Sequence, residues 1–289
     1  KKRVAELVAS SAAHFSPGNE RMPTTYLDTI FSLKGYCAII TGGGTGIGQA
    51  IASGLAQSGA KVVLVGRRPQ PLIDACTKIN ADCGGAYAFH IPFDVTNYDR
   101  CDEMVQQAEE LSGIKPTILV NNAGVNVRQK AENLTEDHWN LSLSLMLTAP
   151  SMLTRAMADN FKAMKHGRII NIASLQSFQA FPDSIPYACA KSGALGLTRA
   201  LAEKYSPLHG YENVTCNAVA PGYVKTELTA KVFEDVERAK LLGDATILGR
   251  NSVPEDLAGP VVFLAGSGSS YITGQTIAVD GGFTSLGLR

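Results

Sequence analysis

Tyr187 and Lys191 stand four residues apart in a stretch of helical pattern, a spacing that stacks the two side chains on one face. A tyrosine, with a reference pKa of about 10, is a poor base at neutral pH, and a nearby ammonium favours its phenolate. That makes it a usable proton donor and acceptor. Ser174 lies thirteen residues before Tyr187, just past the run Arg168-Ile169-Ile170-Asn171-Ile172, so its hydroxyl would stand at a sheet edge and could hydrogen-bond a carbonyl oxygen. Many helices carry a Tyr and a Lys at this spacing by chance. The pair gains weight only with Ser174 and with a glycine-rich loop far upstream.

That loop is Thr41-Gly42-Gly43-Gly44-Thr45-Gly46-Ile47-Gly48, preceded by the strand-like Ile39-Ile40 and followed by a helical pattern from Gln49. Glycines at 42, 46 and 48 would allow a tight turn, close approach of backbone to a pyrophosphate, and a helix packed on a strand, with the anion at the helix N-terminus. The next strand ends at Val65 and continues Gly66-Arg67-Arg68. An NAD site wants a carboxylate there for the ribose 2′-hydroxyl, whereas a 2′-phosphate needs a cation, and a guanidinium matches it in charge and geometry. NADP(H) is the expected cofactor, held in part by Arg67 and Arg68.

Short β-branched runs near 36–41, 61–65, 86–91, 117–121, 168–173, 213–218 and 275–279 alternate with helical stretches near 47–58, 70–81, 98–112, 135–163, 187–206 and 254–265. The runs are continuously apolar, as in Lys61-Val62-Val63-Leu64-Val65, which suggests burial on both faces. The expected fold is therefore α/β: a Rossmann-type, doubly wound parallel sheet of seven strands in a single domain over 33–289. Right-handed crossovers bring the C-terminal strand ends to one edge, where the site should lie.

Composition narrows the partners. Lysine plus arginine equals aspartate plus glutamate at 26 each, so no net field draws the chain to nucleic acid or an anionic membrane, and a small-molecule substrate is expected. No run of about 18 apolar residues would span a bilayer. The six cysteines form no Cys-x-x-Cys pair and suit an intracellular, reduced protein; the five histidines share no helical face, so no metal site is expected. The chain begins Lys1-Lys2-Arg3 without Met, so a cut or processed terminus is expected; residues 1–32 read as an extension outside the sheet, with a short helix over Val4 to Ala13 and a breaker at Ser16-Pro17-Gly18-Asn19. A basic, Ser/Ala-rich start leaves organelle targeting open, Glu6 and Glu20 count against it, and the expected location is the cytoplasm.

The glycine loop, Ser174 and the Tyr187-x-x-x-Lys191 pair together resemble the short-chain dehydrogenases/reductases, and the likeness runs from Leu33 to about Phe283. The resemblance implies a homotetramer and further cofactor contacts: Gly42, Thr45, Gly46, Ile47 and Gly48 in the loop, Asp94 and Val95 at the adenine, Asn121, Ala123 and Gly124 in Asn121-Asn122-Ala123-Gly124, and Tyr187 and Lys191 themselves. Alone, Asp94 could equally cap a helix from Asn97. In Pro221-Gly222-Tyr223-Val224-Lys225-Thr226 the resemblance assigns Pro221 and Gly222 to a cofactor loop, Val224 and Thr226 to the nicotinamide carboxamide, and residues 226–248 to a substrate lid.

Two positions depart from the family pattern. Gly44-Thr45 lacks the basic residue that many NADP-dependent members carry, and Met146 stands seven residues after Trp139 where members usually place an Asn. In the family that Asn shapes a helix so that a main-chain carbonyl holds a water linking the lysine to solvent; a carbonyl survives side-chain replacement, so a modified relay is expected. Arg128, four residues past Gly124, resembles an arginine that gluconate 5-dehydrogenases and related sugar-acid oxidoreductases place beside substrate, and Gln176 could bind a hydroxyl. A surface arginine and a solvated loop are the plainer alternatives. The leading expectation is an NADP(H)-dependent oxidoreductase acting on a sugar, polyol or sugar acid. The alternatives are a ketoreductase of carrier-protein or general carbonyl type and a catalytically silent NADPH-binding sensor or scaffold.

Overall fold

The computed structural model describes residues 25–287; the expected helix over Val4 to Ala13 and the breaker after it lie outside them. Seven strands, β1 (Cys37–Thr41), β2 (Lys61–Gly66), β3 (Ala88–Pro92), β4 (Pro116–Asn121), β5 (Gly167–Ile172), β6 (Val214–Pro221) and β7 (Thr276–Val279), form one sheet in the order β3-β2-β1-β4-β5-β6-β7. Every pairing is parallel. This is the doubly wound sheet that the alternation of runs implies. The order reverses between β1 and β4, which opens a crevice at their C-terminal ends.

Continuous apolarity has a direct cause in the pleat, because successive side chains point to opposite faces. Ala38 and Ile40 of β1 join Val62 and Leu64 of β2 in one core. That core packs under α2 (Gly46–Gln57), α3 (Pro69–Cys83) and α11 (Ala258–Ala265). Cys37 and Ile39 face the other way with Val63 and Val65, beneath α4 (Cys101–Ser112) and the segment holding Leu153 and Phe161. Each fully buried Val, Leu or Ile contributes roughly 1.5–3 kcal/mol. A polar residue at any of these positions would face a helix rather than water.

Outside the sheet, α1 (Tyr26–Phe31) is capped by Thr25 and Asp28 and docks on α11 through Phe31 and Phe263, whose ring centres are 6.4 Å apart. The remaining helices are α5 (Glu136–Leu143), α6 (Ala149–Ala156), α7 (Ala158–Met164), α8 (Ile185–Lys204), α9 (Ala230–Glu234) and α10 (Val236–Asp244). No helix among the described residues is long and apolar enough to cross a membrane.

The sequence expectation has no helices at α1, α9 and α10 and begins α11 four residues early, and two further differences have a clear cause. The single helix expected over 135–163 is α5, a π turn at Ser144–Thr148, α6 and α7. Pro150 has no N–H to donate to the Met146 carbonyl, so the α-ladder cannot run through this point and the backbone widens instead. β6 runs three residues past its expected end because β7 pairs with it as far as Pro221, opposite Val279.

At the opposite end of the sheet from the crevice, Arg168 is fully buried and donates to the carbonyls of Gly167 (2.8 Å) and Asn213 (2.7 Å) and to Asn213 Oδ1 (3.1 Å). His166 stacks on Tyr36 at 4.2 Å beside it. Burial, and then the Arg168 charge, push the His166 imidazole down to about 3.

Candidate functional site

The glycine loop joins β1 to α2 and is held by Thr41, whose hydroxyl accepts from the N–H groups of Asn122 and Ala123, each at 3.0 Å. Asn122 in turn donates from Nδ2 to the carbonyls of Thr41 (2.9 Å) and Gly42 (3.1 Å). Gly42 and Gly46 have φ of +64° and +54°, a region that side-chain-bearing residues avoid. At Gly48 a Cβ would lie 2.2 Å from the Gly42 carbonyl oxygen, so only glycine lets the helix start this close to the turn. Thr45 occupies the helix N-cap with its side chain making no capping bond.

A cavity of about 250 Å³ extends from this loop, lined by Gly42, Thr45 and Gly66 on one side and by Asp94, Val95, Ala123 and Gly124 on the other. Arg67 and Arg68 close its far end, at the tip of β2. Asp94 accepts from Thr96 N (3.0 Å) and Thr96 Oγ1 (2.7 Å), making a turn rather than the helix cap that is the alternative to an adenine contact. Arg68 is not free: its Nη2 meets Glu227 Oε2 at 2.9 Å. A glycine cradle at a helix N-terminus, an elongated cavity and two guanidinia at the ribose end fit a dinucleotide with a 2′-phosphate, with no acidic side chain after β2 to repel it.

Ser174, Tyr187 and Lys191 come together around a smaller cavity of about 130 Å³, which Ile47, Gly124, Pro221, Gly222, Val224 and Thr226 also line. Tyr187 and Lys191 lie on the first turns of α8, with Pro186 at its start. Lys191 is 5% exposed and donates from Nζ to the Ile172 carbonyl at 2.5 Å. Its Nζ sits 5.7 Å from the centre of the Tyr187 ring. Ser177 Oγ donates to the Lys191 carbonyl at 2.7 Å, which ties α8 to the loop after β5.

Burial dominates the electrostatics of this cluster. Burial raises the Tyr187 phenol above its ordinary value, opposed by the Ser174 hydroxyl rather than by the Lys191 ammonium, and burial lowers Lys191 to about 8. With Nζ turned to the Ile172 carbonyl, desolvation decides both groups. A protonated phenol is the form in place at neutral pH.

Behind Lys191 a small cavity of about 10 Å³, enough for one water, is lined by Asn121, Met146, Pro150 and Asn171. Asn121 lies here, below the cofactor groove, donating to Asn171 Oδ1 at 2.8 Å, and its own Oδ1 is buried with no partner among the described residues. Asn122, its neighbour, lines the groove instead. The Met146 carbonyl, to which Pro150 can offer no i+4 N–H, belongs to the turn that walls this cavity.

Beyond Tyr187 opens a cavity of about 540 Å³ containing both expected substrate residues, Arg128 and Gln176. Tyr223 stands in its wall, braced by Phe181 at 6.0 Å and Phe283 at 5.9 Å. Asn126 Oδ1 and Gln176 Oε1 are buried acceptors without a partner among the described residues. Such an acceptor costs about 1–3 kcal/mol until a donor meets it. Asn126, Tyr223, Lys231 and Arg238 escape a sequence reading: nothing in their spacing separates them from ordinary loop and surface residues. Glu227 escapes for the same reason.

A parallel sheet with this strand order, a glycine cradle at its switch point and a Ser-Tyr-Lys cluster over the neighbouring strands define a nicotinamide-dependent oxidoreductase architecture. A family model described as enoyl-(acyl carrier protein) reductase matches residues 42–284, and the chain belongs to the short-chain dehydrogenase/reductase family. It is 37% identical over 255 residues to 2-dehydro-3-deoxy-D-gluconate 5-dehydrogenase of Dickeya dadantii, covering 88% of this chain and 97% of that one. It is 36% identical over the same length to gluconate 5-dehydrogenase of Gluconobacter oxydans, again covering 88% and 97%. The crystal structure of a gluconate 5-dehydrogenase from Burkholderia cenocepacia, in complex with NADP and tartrate, superposes with a TM-score of 0.82 at 33% identity, covering 91% of this chain and all of that one.

Proposed function

We propose that the chain is an NADP(H)-dependent oxidoreductase that interconverts a secondary alcohol and a carbonyl on a sugar acid, with gluconate-like acids as the substrate class. The observation that carries the reading is a row of three adjoining cavities, the first two sharing Gly124 in their walls and the last two sharing Ser174 and Tyr187. It runs from the two arginines after β2, past Ser174, Tyr187 and Lys191, into a cavity with Arg128 at its wall and two unpartnered amide acceptors. An arginine fits a carboxylate through a two-point fork, and buried acceptors fit the hydroxyls of a polyol.

NADP(H), when bound, supplies or accepts the hydride. The glycine loop holds its pyrophosphate, Arg67 its 2′-phosphate, and Val224 and Thr226 flank the nicotinamide end. Ser174 donates to the substrate oxygen and holds the carbonyl in line. Tyr187 gives its phenolic proton to that oxygen during reduction and takes it back during oxidation. Its raised pKa suits the reducing direction at neutral pH. Lys191, held beside the phenol by the Ile172 carbonyl, passes protons to the small cavity walled by Asn121 and Met146. The segment 226–248 serves as the lid over the substrate, and the working form is a cytoplasmic homotetramer, which light scattering of the purified protein tests.

Mixing protein and NADPH with a panel of ketones, keto acids and sugar acids, and following cofactor absorbance, tests the reading. Turnover of an acidic sugar is expected, and Tyr187→Phe should lower it at least ~100-fold while NADPH still binds. A panel in which simple ketones react and no sugar acid does would make this a general carbonyl reductase. No turnover at all, with NADPH bound, would leave a sensor.

A further inference from the structure

Three cationic side chains border the substrate cavity: Arg128 from the loop after β4, Lys231 from α9 and Arg238 from α10. None is in an ion pair with another described residue. Glu227, the acidic side chain in the same lining, is already engaged by Arg68. The cavity mouth thus holds uncompensated positive charge from two separate parts of the chain.

Arg238 is the informative member. It occupies the first turn of α10, where its N–H is capped by Asp235 Oδ1 at 3.0 Å. The helix dipole disfavours a cation in a first turn, so the charge does not serve the helix. The Tyr223 phenol, fixed between Phe181 and Phe283, feels both guanidinia: burial raises its pKa, and Arg128 and then Arg238 lower it. The two arginines therefore both lie near Tyr223 in one cavity wall, Arg128 on the loop after β4 and Arg238 on α10.

We propose that Arg238 is a second carboxylate-binding residue, reaching from α10 to grip the acid group that Arg128 holds from below, so that an acidic substrate draws the lid shut and a neutral one does not. This rests on the sugar-acid reading above. The acid specificity then belongs to a pair of residues 110 positions apart.

Gluconate and glucitol differ only in a carboxylate against a hydroxymethyl group, and their Kd values for the enzyme–NADPH complex, which has no oxidised cofactor to take a hydride from either alcohol, can be read by titration calorimetry. Arg238→Ala should reduce the preference for gluconate over glucitol by roughly 10-fold, the size of a lost charge-assisted bond. Arg238→Lys should restore part of it, because a point charge replaces the charge and not the fork. Gluconate should also slow amide exchange across α9 and α10 in the parent protein and not in Arg238→Ala. Arg238 is exposed, so the substitutions leave the fold in place, and an unchanged Kd for NADP checks this. If Arg128→Ala loses the preference while Arg238→Ala keeps it, the lid arginine has no such role and the sugar-acid reading stands. A parent protein that does not prefer gluconate overturns both.

Discussion

Lys191 carries its charge at a cost to the fold, and replacing it should stabilise the protein while silencing it. Burial lowers the amine from 10.5 to about 8. A displacement of that size is a preference for the neutral form of roughly 3 kcal/mol. At pH 7 the amine is charged in both folded and unfolded chains, so the folded state bears the full penalty. As pH rises from about 8 towards 10.5 the folded chain sheds the proton before the unfolded one does, and stability increases. Lys191→Met keeps the length of the side chain and removes the ammonium, along with the bond to the Ile172 carbonyl. That bond is worth about 1 kcal/mol once the charge is set aside. The variant should be more stable by about 2 kcal/mol at pH 7, with most of the gain gone by about pH 10. Urea denaturation without cofactor, at fixed protein concentration and at both pH values, measures it. A variant less stable at pH 7, or a gap that stays constant with pH, would refute the reasoning. Loss of turnover alongside the gain would show that the buried charge is retained for chemistry.

Arg67→Ala should weaken NADPH at least roughly 10-fold and NADH hardly at all, since a charge-assisted bond to phosphate is worth ~1.5–3 kcal/mol; equal losses would move the 2′-phosphate elsewhere. Glu227→Gln should tighten NADPH several-fold by freeing Arg68, while denaturation midpoints barely move, because both partners are 65% exposed and such a pair contributes under about 1 kcal/mol. An unchanged Kd would mean that Glu227 does not compete with the phosphate. Met146→Asn should alter kcat modestly and leave KM alone, because the carbonyl freed by Pro150 persists; a large drop in kcat would tie the relay to the methionine side chain. His166, held near 3 in the folded state, should cost stability below its ordinary pKa: as pH falls through 6.5 the unfolded chain binds a proton that the folded chain refuses, up to about 1.4 kcal/mol per pH unit. His166→Gln should flatten that acid slope in denaturation curves, and an unchanged slope would place the sensitive group elsewhere.

What could be read from the chain and what could not divides along a physical line. Strands whose residues alternate between two buried faces must be apolar throughout, so the sheet is legible in runs such as Lys61 to Val65, and the ends of those runs locate Ser174 and the glycine loop. Tyr187 and Lys191 are legible because one helical turn fixes their relation. The break at Ser144–Thr148 depends on a hydrogen bond that Pro150 cannot give, and that is visible only once the missing donor is counted against a particular carbonyl. Asn121 and Asn122 look interchangeable in sequence. β4 ends at Asn121, so the pleat sends that side chain into the sheet towards Asn171, while Asn122 ties the turn to Thr41 and Gly42. Arg238 is harder still, because a charged residue in α10 has the pattern of any solvated surface. Its meaning comes from convergence: Glu227 is taken by Arg68, Arg128 lies across the same phenol, and two buried amide oxygens beside them lack donors. Local rules of sequence describe what each residue can do alone. The groups proposed to recognise the substrate are brought together by chain topology, and for that reason the cofactor end of this site is far more legible than the substrate end.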